Sequence, residues 1–301
     1  MNTTSTTPAS IQVTPTTVTF CQQIWQLEST IQLVKHSDER TYLVTETTPF
    51  HPVSHIWPDH PADRGEVTID GCFHEVVDCL VGAVEEATGE LYVDKQIPVK
   101  RDTQGWMFVV VHVLDGLITP QSNLVGLQVD KDYQQALSRG HTAGHLAYLA
   151  LNKVLAQGYW RKDADRKDPH GNFDFNSYAQ ENSFVTEDRC VDHYRLGKTL
   201  RKRGLNSAQF IEDIAEVEQK VNAVLQVWLS REVDITMRLE GDKLTDSRYW
   251  GCDLGEDHYA EIPCGGTHIR NIKEISGLSV SLRKLDEKNI EMHTVVNGNT
   301  Q

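Results

Sequence analysis

The sequence lacks a long apolar run, a basic leader and a regular cysteine spacing. Because no apolar stretch approaches the ~20 residues that a bilayer requires, we predict no membrane span. The N-terminal stretch MNTTSTTPASIQVTPTT has neither the basic start nor the apolar segment of a secretory signal, so we expect a cytoplasmic location. The six cysteines are scattered, which is typical of reduced thiols and not of a disulfide framework.

Positive charge is also scarce. The formal net charge is −14, with 29 Lys and Arg residues against 43 Asp and Glu residues. Because contacts to nucleic-acid phosphates need Lys and Arg, this balance argues against indiscriminate nucleic-acid binding and predicts no DNA partner. Any RNA partner must meet a local basic patch. The length of 301 residues predicts two domains, each large enough for its own core.

Composition divides the chain into an arm and two domains. Residues 1–18 are rich in Thr, Ser and Pro and are predicted to form a loose arm. In residues 19–118, runs such as TYLVTET and WMFVVVHVL, bounded by Gly, Pro and Asp, indicate strands and a small β-barrel or sandwich. Residues 115–130 are predicted to connect this domain to the second one, residues 119–301.

The second domain combines helices and strands. Helical spacing of apolar residues from about Asp132 to Gln157 predicts one helix. A longer helix is predicted to begin with Ser207 as its N-cap, because one apolar stripe continues to Leu229. Its other face is predicted to be a solvated surface and carries Glu212, Asp213, Glu216 and Glu218. Strands are predicted after this helix, so the fold class is α+β, with helices covering one sheet.

Two pairs of residues have the spacing of metal ligands. His141 and His145 stand four residues apart in the predicted helix, so both imidazoles project from one face. The same spacing also occurs on plain polar faces. Far downstream, Cys264 and His268 are four apart in CGGTH, where the glycine pair predicts a tight loop that bends both side chains toward one point.

Together the two pairs supply three imidazoles and one thiol, the donor set that Zn²⁺ favours over Mg²⁺ or Ca²⁺. We therefore predict a Zn²⁺ site. Glycines beside the ligands leave space for a substrate, which favours a catalytic ion over a structural one that ties helix to loop. Because four protein ligands would close a tetrahedral site, Cys264 either binds the ion directly or stands behind it.

The two motifs carry a family resemblance. HTAGH followed by CGGTH resembles the HxxxH and CxxxH motifs of the alanyl-tRNA synthetase editing domain and of its free-standing relatives, the AlaX proteins. Further segments resemble the family in the same order, namely TPFHPVSHIWPDHPADRGEV, NFDF, LNSAQFIEDIAEVEQKVNAVL and IKEISGLSV. The resemblance covers nearly all of residues 40–300. It implies a small β-barrel domain followed by a two-layer α/β editing domain with the zinc site.

The resemblance implies ATP-independent hydrolysis of the ester that joins a wrong amino acid, serine or glycine, to tRNA for alanine. tRNA is then the partner, and we expect no aminoacylation domain.

Thr142 and Cys264 are the residues predicted to act in catalysis. For Thr142 the alternative is a helix hydroxyl without a functional role. Two other functions stay open: a zinc hydrolase of another aminoacyl-tRNA or a small ester, and a non-catalytic module that binds zinc and tRNA. No oligomeric state is predicted.

The chain departs from the family pattern near the predicted substrate. Residues 53–60 contain no glycine where the family has a glycine-rich loop, and Gly144 stands where a threonine is frequent. Both departures bear on the choice of amino acid. The residues predicted to contact substrate are Gly144, His55, Gly265 and Gly266. The loop histidines His51, His55 and His60 are predicted to be surface groups and not a second metal site.

A basic segment is predicted to bind tRNA, with Tyr194 available to stack on a base. Its positive residues are Arg195, Lys198, Arg201, Lys202 and Arg203. A smaller basic group consists of Arg161, Lys162, Arg166 and Lys167. Both groups are also compatible with solvated loops, and residues 163–203 are predicted to contain an insertion relative to the family.

Overall fold

The computed structural model describes residues 13–54 and 58–297. Its fold is mixed α+β and mostly sheet, which confirms the predicted class. The chain divides into two compact units. The described residues of unit 1 are 13–54, 62–130 and 242–246, and those of unit 2 are 58–61, 131–241 and 247–297. The predicted loose arm lies outside the described residues as far as residue 12.

Unit 1 is built from strands. They are β1 (Thr17–Val18), β2 (Gln26–Ser37), β3 (Arg40–Thr45), β4 (Thr47–Thr48), β5 (Gly65–Ile69), β6 (Cys72–Glu85), β7 (Leu91–Val93), β8 (Trp106–Asp115) and β9 (Leu124–Val129). Short 3-10 helices span Phe20–Gln22 and Asp94–Gln96. β1 and β4 form a parallel pair, and the other seven strands form one antiparallel sheet in the order β5-β9-β2-β3-β8-β6-β7.

The ladder of hydrogen bonds in the seven-stranded sheet closes on itself. β5 pairs with β9 on one side and with β6 on the other, so the pairings return to the strand at which they began. Strand residues alternate between two faces, and Leu43, Val67 and Leu127 are fully buried. In β8, Val110 and Val111 belong to different apolar clusters, so both faces of this strand are covered.

Residues 115–130, predicted to connect the two domains, include a strand of unit 1. This segment contains β9, whose buried residues Val125, Leu127 and Val129 alternate with more exposed ones. β9 pairs with both β2 and β5 and therefore completes the sheet of unit 1. The Gly and Pro residues that suggested a linker precede this strand or, like Gly126, lie within it.

Unit 2 contains all the α-helices of the described residues. They are α1 (Lys131–Ala156), α2 (Phe175–Ala179), α3 (Lys198–Arg203), α4 (Ser207–Glu212) and α5 (Ile214–Leu229), with a 3-10 helix at Ile272–Glu274. The strands are β10 (Gln180–Thr186), β11 (Arg189–Arg195), β12 (Ile235–Leu239), β13 (Arg248–Cys252), β14 (Ala260–Pro263), β15 (Leu278–Lys284) and β16 (Asn289–Val296). Within the described ranges, no helix is at once long and apolar enough to cross a bilayer.

The strands of unit 2 form two antiparallel sheets, in the orders β10-β11-β16-β15 and β12-β13-β14. α1 packs on β10, β11 and β16, while α5 packs on β15 and on α1. Leu146, Leu149, Val221 and Trp228 are buried where these elements meet, in the core that extends through unit 2. The amphipathic helices therefore cover a sheet, because each has one apolar stripe to remove from water.

The predicted helix at 132–157 is confirmed as α1, whereas the predicted longer helix is two helices. Asp213 separates α4 from α5, with φ −93° and ψ 14°. Its carboxylate accepts a hydrogen bond from the Tyr159 hydroxyl at 3.1 Å. Asn206, and not Ser207, is the N-cap residue of α4. The apolar stripe continues through the break, which explains why periodicity alone predicts one helix.

Two other features of unit 2 are not revealed by the sequence pattern. The hairpin of β10 and β11 supplies half of the four-stranded sheet, although β10 is polar and largely exposed, with only Phe184 and Val185 as large apolar residues. Glu218 was expected on the solvated face of its helix, but its carboxylate accepts a hydrogen bond from the Leu282 backbone at 2.7 Å. It therefore ties α5 to β15.

α1 approaches the hairpin closely because glycine occupies two positions that face it. A Cβ at Gly140 would lie 2.6 Å from the carbonyl oxygens of Thr186 and Arg189. A Cβ at Gly144 would lie 2.8 Å from Sγ of Cys190. These contacts fix the rotation of α1 about its own axis. They thereby set the direction in which the histidines of α1 project.

We predict that Gly140→Ala destabilises unit 2. Helix propensity alone predicts a gain of up to ~1 kcal/mol for this change. The new methyl group meets immobile backbone atoms, so we expect a net loss of about 1–3 kcal/mol in the free energy of unfolding, measured by urea denaturation. Gly144→Ala should cost less, because the Cys190 side chain can rotate away. A Gly140→Ala protein more stable than the parent would contradict the close packing.

Candidate metal centre

α1 carries two histidines that each follow, by one residue, a glycine of its hairpin-facing side, so they project about 100° around the helix from the hairpin. His141 is buried and His145 is half-buried, one helical turn apart, with ring centroids separated by 4.9 Å. The His145 ring also lies 5.7 Å from the ring of Tyr148 and 5.2 Å from that of Trp250. These aromatic side chains limit the directions in which His145 can point.

The CGGTH loop follows β14 and returns toward α1. The backbone N–H of Cys264 donates to the carbonyl of Arg248 at 2.9 Å, which fixes the start of the loop. A Cβ at Gly266 would lie 2.6 Å from Cε1 of His141, so only glycine allows this approach. Gly265 is exposed, and a Cβ there would meet nothing within 4 Å. The loop therefore packs against α1 at Gly266 and is exposed to solvent at Gly265.

The loop and the helix bring four donor side chains together. Sγ of Cys264 lies 3.5 Å from Nε2 of His141, 3.4 Å from Nε2 of His145 and 3.2 Å from Nε2 of His268. All four donor atoms lie within 4.8 Å of one another. With usual zinc bond lengths, neighbouring donors in a tetrahedron are about 3.5 Å apart. The group could hold one metal ion.

Hydrogen bonds behind the group orient two of the imidazoles. Nδ1 of His141 lies 3.3 Å from the carbonyl oxygen of Thr267, which can only accept, so Nδ1 carries the proton and Nε2 is left as the donor to a metal. Nδ1 of His268 lies 3.0 Å from the hydroxyl of Thr142. Partners of this kind commonly fix metal-binding imidazoles. Burial lowers the pKa of His145 to about 4, so that ring is neutral at pH 7.

His60 belongs to the same neighbourhood. Its ring lies 5.0 Å from that of His141, and its Nε2 lies 3.2 Å from the Thr267 hydroxyl, which also accepts a hydrogen bond from Ser138 at 2.9 Å. Burial lowers the pKa of His60 to about 4, against the opposite effect of its hydrogen bond to Pro61. The prediction of surface loop histidines is wrong for His60, which is 4% exposed, because this residue packs under the loop.

The other loop histidines and Gly144 have different positions. His51 is buried in unit 1, so the prediction of a surface group is also wrong there. His55 lies outside the described residues. Gly144 packs against Cys190 of the hairpin and is not brought to the four donor atoms.

Thr142 is fully buried behind His268, where its hydroxyl can position that imidazole. The substrate contacts predicted for His55 and Gly144 stay predictions.

The basic segment is only partly as predicted. Tyr194 is 1% exposed and donates its hydroxyl to Asn176 at 2.8 Å, so the prediction that it stacks on a base is wrong. Strand alternation in β11 turns this ring into the core. The cations around it are on the surface, where Arg195 pairs with Glu181 at 3.3 Å. Their contact with tRNA stays a prediction.

Comparison with known proteins finds alanine–tRNA ligases among the relatives, although no protein-family model matches the chain. An alanine–tRNA ligase of Caldivirga maquilingensis is 23% identical over 283 residues, covering 90% of this chain and 25% of the relative. One of Akkermansia muciniphila is 28% identical over 266 residues, covering 82% and 22%. One of Pyrobaculum aerophilum is 26% identical over 192 residues, covering 60% and 18%.

The chain thus spans about a fifth to a quarter of the length of these curated relatives. The similarity extends over most of this chain and supports the predicted relationship to alanyl-tRNA synthetases. This similarity suggests a function related to aminoacyl-tRNA. The chain also contains a group of side chains that could bind a metal ion.

We predict that Cys264→Ala weakens metal binding. Sγ lies 3.2–3.5 Å from each of the three Nε2 atoms and is the one sulfur donor of the group, so its removal leaves three donors. Protein loaded with zinc and dialysed should contain about one ion per chain, and the variant much less. Cys72→Ala removes an exposed thiol of unit 1 and is the matched control. Equal zinc content in Cys264→Ala and the parent would refute the predicted ligand.

We predict that Thr142→Val weakens zinc binding about 10- to 100-fold, because His268 loses the hydroxyl that orients it. A competition titration with a chromogenic chelator measures the affinity. Thr294→Val is the matched control: Thr294 is equally buried in unit 2, and its hydroxyl has no hydrogen-bond partner among the described residues. If both variants bind zinc as the parent does, Thr142 does not position His268.

Proposed function

We propose that this protein is a zinc-dependent hydrolase of the AlaX type, which removes a wrong amino acid from tRNA. The observation that carries the proposal is the group of three imidazole Nε2 atoms and one thiol, open to solvent beside Gly265. Nitrogen and thiolate donors at this spacing fit Zn²⁺ better than the hard cations Mg²⁺ and Ca²⁺. The alanine–tRNA ligase relatives point to an aminoacyl ester as the bond that is cleaved.

His141, His145, Cys264 and His268 would hold the ion. Bound there, Zn²⁺ would supply Lewis-acid polarisation of the ester carbonyl, or lower the pKa of a water, taken up as a further ligand. Cys264 lies no farther than 3.5 Å from any of the three Nε2 atoms, which supports direct ligation over a place behind the ion. Because the ester is already activated, the protein needs mainly to position the substrate and the attacking water.

The remaining side chains set the geometry around the reacting bond. Thr142 and the Thr267 carbonyl hold two imidazoles in the orientation that leaves Nε2 free to bind. Trp250 and Tyr148 border His145 and limit the orientations of its ring. Cys264 is half-buried and Gly265 next to it is exposed, so we propose that the 3′ end of a tRNA approaches there. We therefore retain Gly265 and Gly266 as substrate-contacting residues.

Serine and glycine attached to tRNA for alanine are the proposed substrates, since the relatives are alanine–tRNA ligases. We further propose that Thr142 acts through His268 and does not touch the substrate, because it is fully buried. The closed ladder of unit 1 supports the small β-barrel predicted for that half of the chain. We also propose a cytoplasmic location for this reaction.

We predict that the zinc-loaded protein releases amino acids from Ser-tRNA or Gly-tRNA for alanine faster than from correctly charged Ala-tRNA. Chelation or Cys264→Ala should slow this release at least about a hundredfold, because the ester is then no longer polarised. Release of radiolabelled amino acid from purified charged tRNA measures it, with Thr-tRNA as a further substrate.

Cys72→Ala controls for loss of a thiol and should retain the parent rate. Absence of release from every charged tRNA by protein that contains zinc would overturn the proposal. Hydrolysis of small esters that is indifferent to tRNA would replace it with the small-ester alternative.

A further inference from the structure

Two basic segments that are far apart in the sequence meet in unit 2. Residues 160–167 follow the end of α1, and residues 197–205 contain α3. Trp160 and Leu205 form an antiparallel bridge, and the backbone N–H of Arg161 donates to the Gly204 carbonyl at 2.8 Å. The side chain of Lys162 packs over Gly204, where a Cβ would lie 2.8 Å from its Cγ. The two segments form one surface, here called the basic surface.

The basic surface carries a local excess of positive charge in an acidic chain. Its two segments contain eight Lys and Arg residues against two Asp residues, whereas the whole chain has a formal net charge of −14. The two aspartates, Asp163 and Asp165, pair with Lys167 and Arg203. In the described part of the chain, no carboxylate lies within salt-bridge distance of the other six, which are Arg161, Lys162, Arg166, Lys198, Arg201 and Lys202. All six are exposed.

Aromatic rings hold three cations of the basic surface in place, and one of them, Arg166, is among the six without a carboxylate partner. The guanidinium carbons of Arg203 and Arg166 lie 4.7 and 5.2 Å from the centroid of the Tyr178 ring. Nζ of Lys167 lies 3.5 Å from the centroid of Phe173, which in turn lies 5.1 Å from the Trp160 ring. A guanidinium group that is already stacked on a ring loses little conformational entropy when it binds a phosphate. The surface is therefore preorganised for an anionic polymer.

We propose that the basic surface binds the phosphate backbone of RNA, in particular the paired end of a tRNA whose 3′ terminus reaches the candidate metal centre. Unpaired cations interleaved with aromatic rings are what backbone binding requires. An anionic membrane fits less well, because α3 has only six residues and its large apolar residue, Leu200, is buried. No apolar face is left there to enter a bilayer.

The rise of α1 from His145 to its carboxyl end is comparable to the length of a tRNA terminus, a comparison that rests on the proposed function. α1 carries His145 near its middle and ends at Ala156, and Trp160 begins the basic surface just beyond. From His145 to Ala156 the helix rises about 16 Å at ~1.5 Å per residue. Stacked nucleotides at ~3.4 Å each cover this distance with about five residues of RNA. The unpaired 3′ end of a tRNA has this scale.

The test measures binding of uncharged tRNA to the full zinc-loaded chain as a function of salt concentration. We expect Arg201→Ala with Lys202→Ala to weaken binding about tenfold and to lower the slope of log affinity against log salt by about two. Arg161→Ala with Lys162→Ala should have a similar effect, because both pairs belong to one surface. Each double variant should retain the thermal unfolding midpoint of the parent.

Arg238→Ala with Lys273→Ala is the matched control. Both residues are exposed in unit 2, outside the basic surface, and their removal changes the net charge equally. Unchanged tRNA affinity in both test variants would overturn the inference, as would an equal loss in the control. Loss of binding to vesicles of phosphatidylserine with no loss of tRNA binding would also overturn it.

The deacylation assay and the tRNA-binding assay can give negative results independently of each other. If the test variants lose tRNA affinity but the parent releases no amino acid, the basic surface stands and the proposed reaction falls. If the parent releases amino acids and the test variants bind tRNA as tightly as the parent, the reaction stands and the inference falls.

Discussion

The approach of the CGGTH loop to α1 is the contact on which the candidate centre depends. At Gly266 the loop backbone lies so close to the His141 ring that a single methyl group would not fit. The same approach places the Thr267 carbonyl against Nδ1 of His141 and Sγ of Cys264 near three Nε2 atoms. The donors are therefore oriented by hydrogen bonds and packing within the chain itself, a preorganised arrangement that suits a metal site.

α1 connects this centre to the rest of unit 2 through its two faces. Gly140 and Gly144 let one face rest on the β10–β11 hairpin, and this fixes the rotation that points His141 and His145 toward the loop. Beyond its carboxyl end, the chain passes through Trp160 into the basic surface. One helix thus positions the proposed chemistry and the proposed RNA contact, and its length separates the two.

Two features of the candidate centre can be predicted from local sequence rules. Helical spacing is enough to place His141 and His145 on one face, and a glycine pair is enough to predict the loop. The burial of His60 cannot be predicted from local rules, because its contact with Thr267 joins positions 207 residues apart. Tyr194 was expected at the surface because the strand that carries it was not predicted, and strand alternation decides its burial. Asp213 interrupts a helix whose apolar stripe continues, so periodicity cannot locate the break.

X-ray absorption at the zinc edge of the loaded protein would show whether these four side chains bind the ion, because it counts the donors around zinc. We expect one sulfur at about 2.3 Å and three nitrogens at about 2.0–2.1 Å, with any further ligand being oxygen from solvent or substrate. A spectrum with no sulfur in the first shell, or with oxygen donors alone, would contradict a centre built from His141, His145, Cys264 and His268.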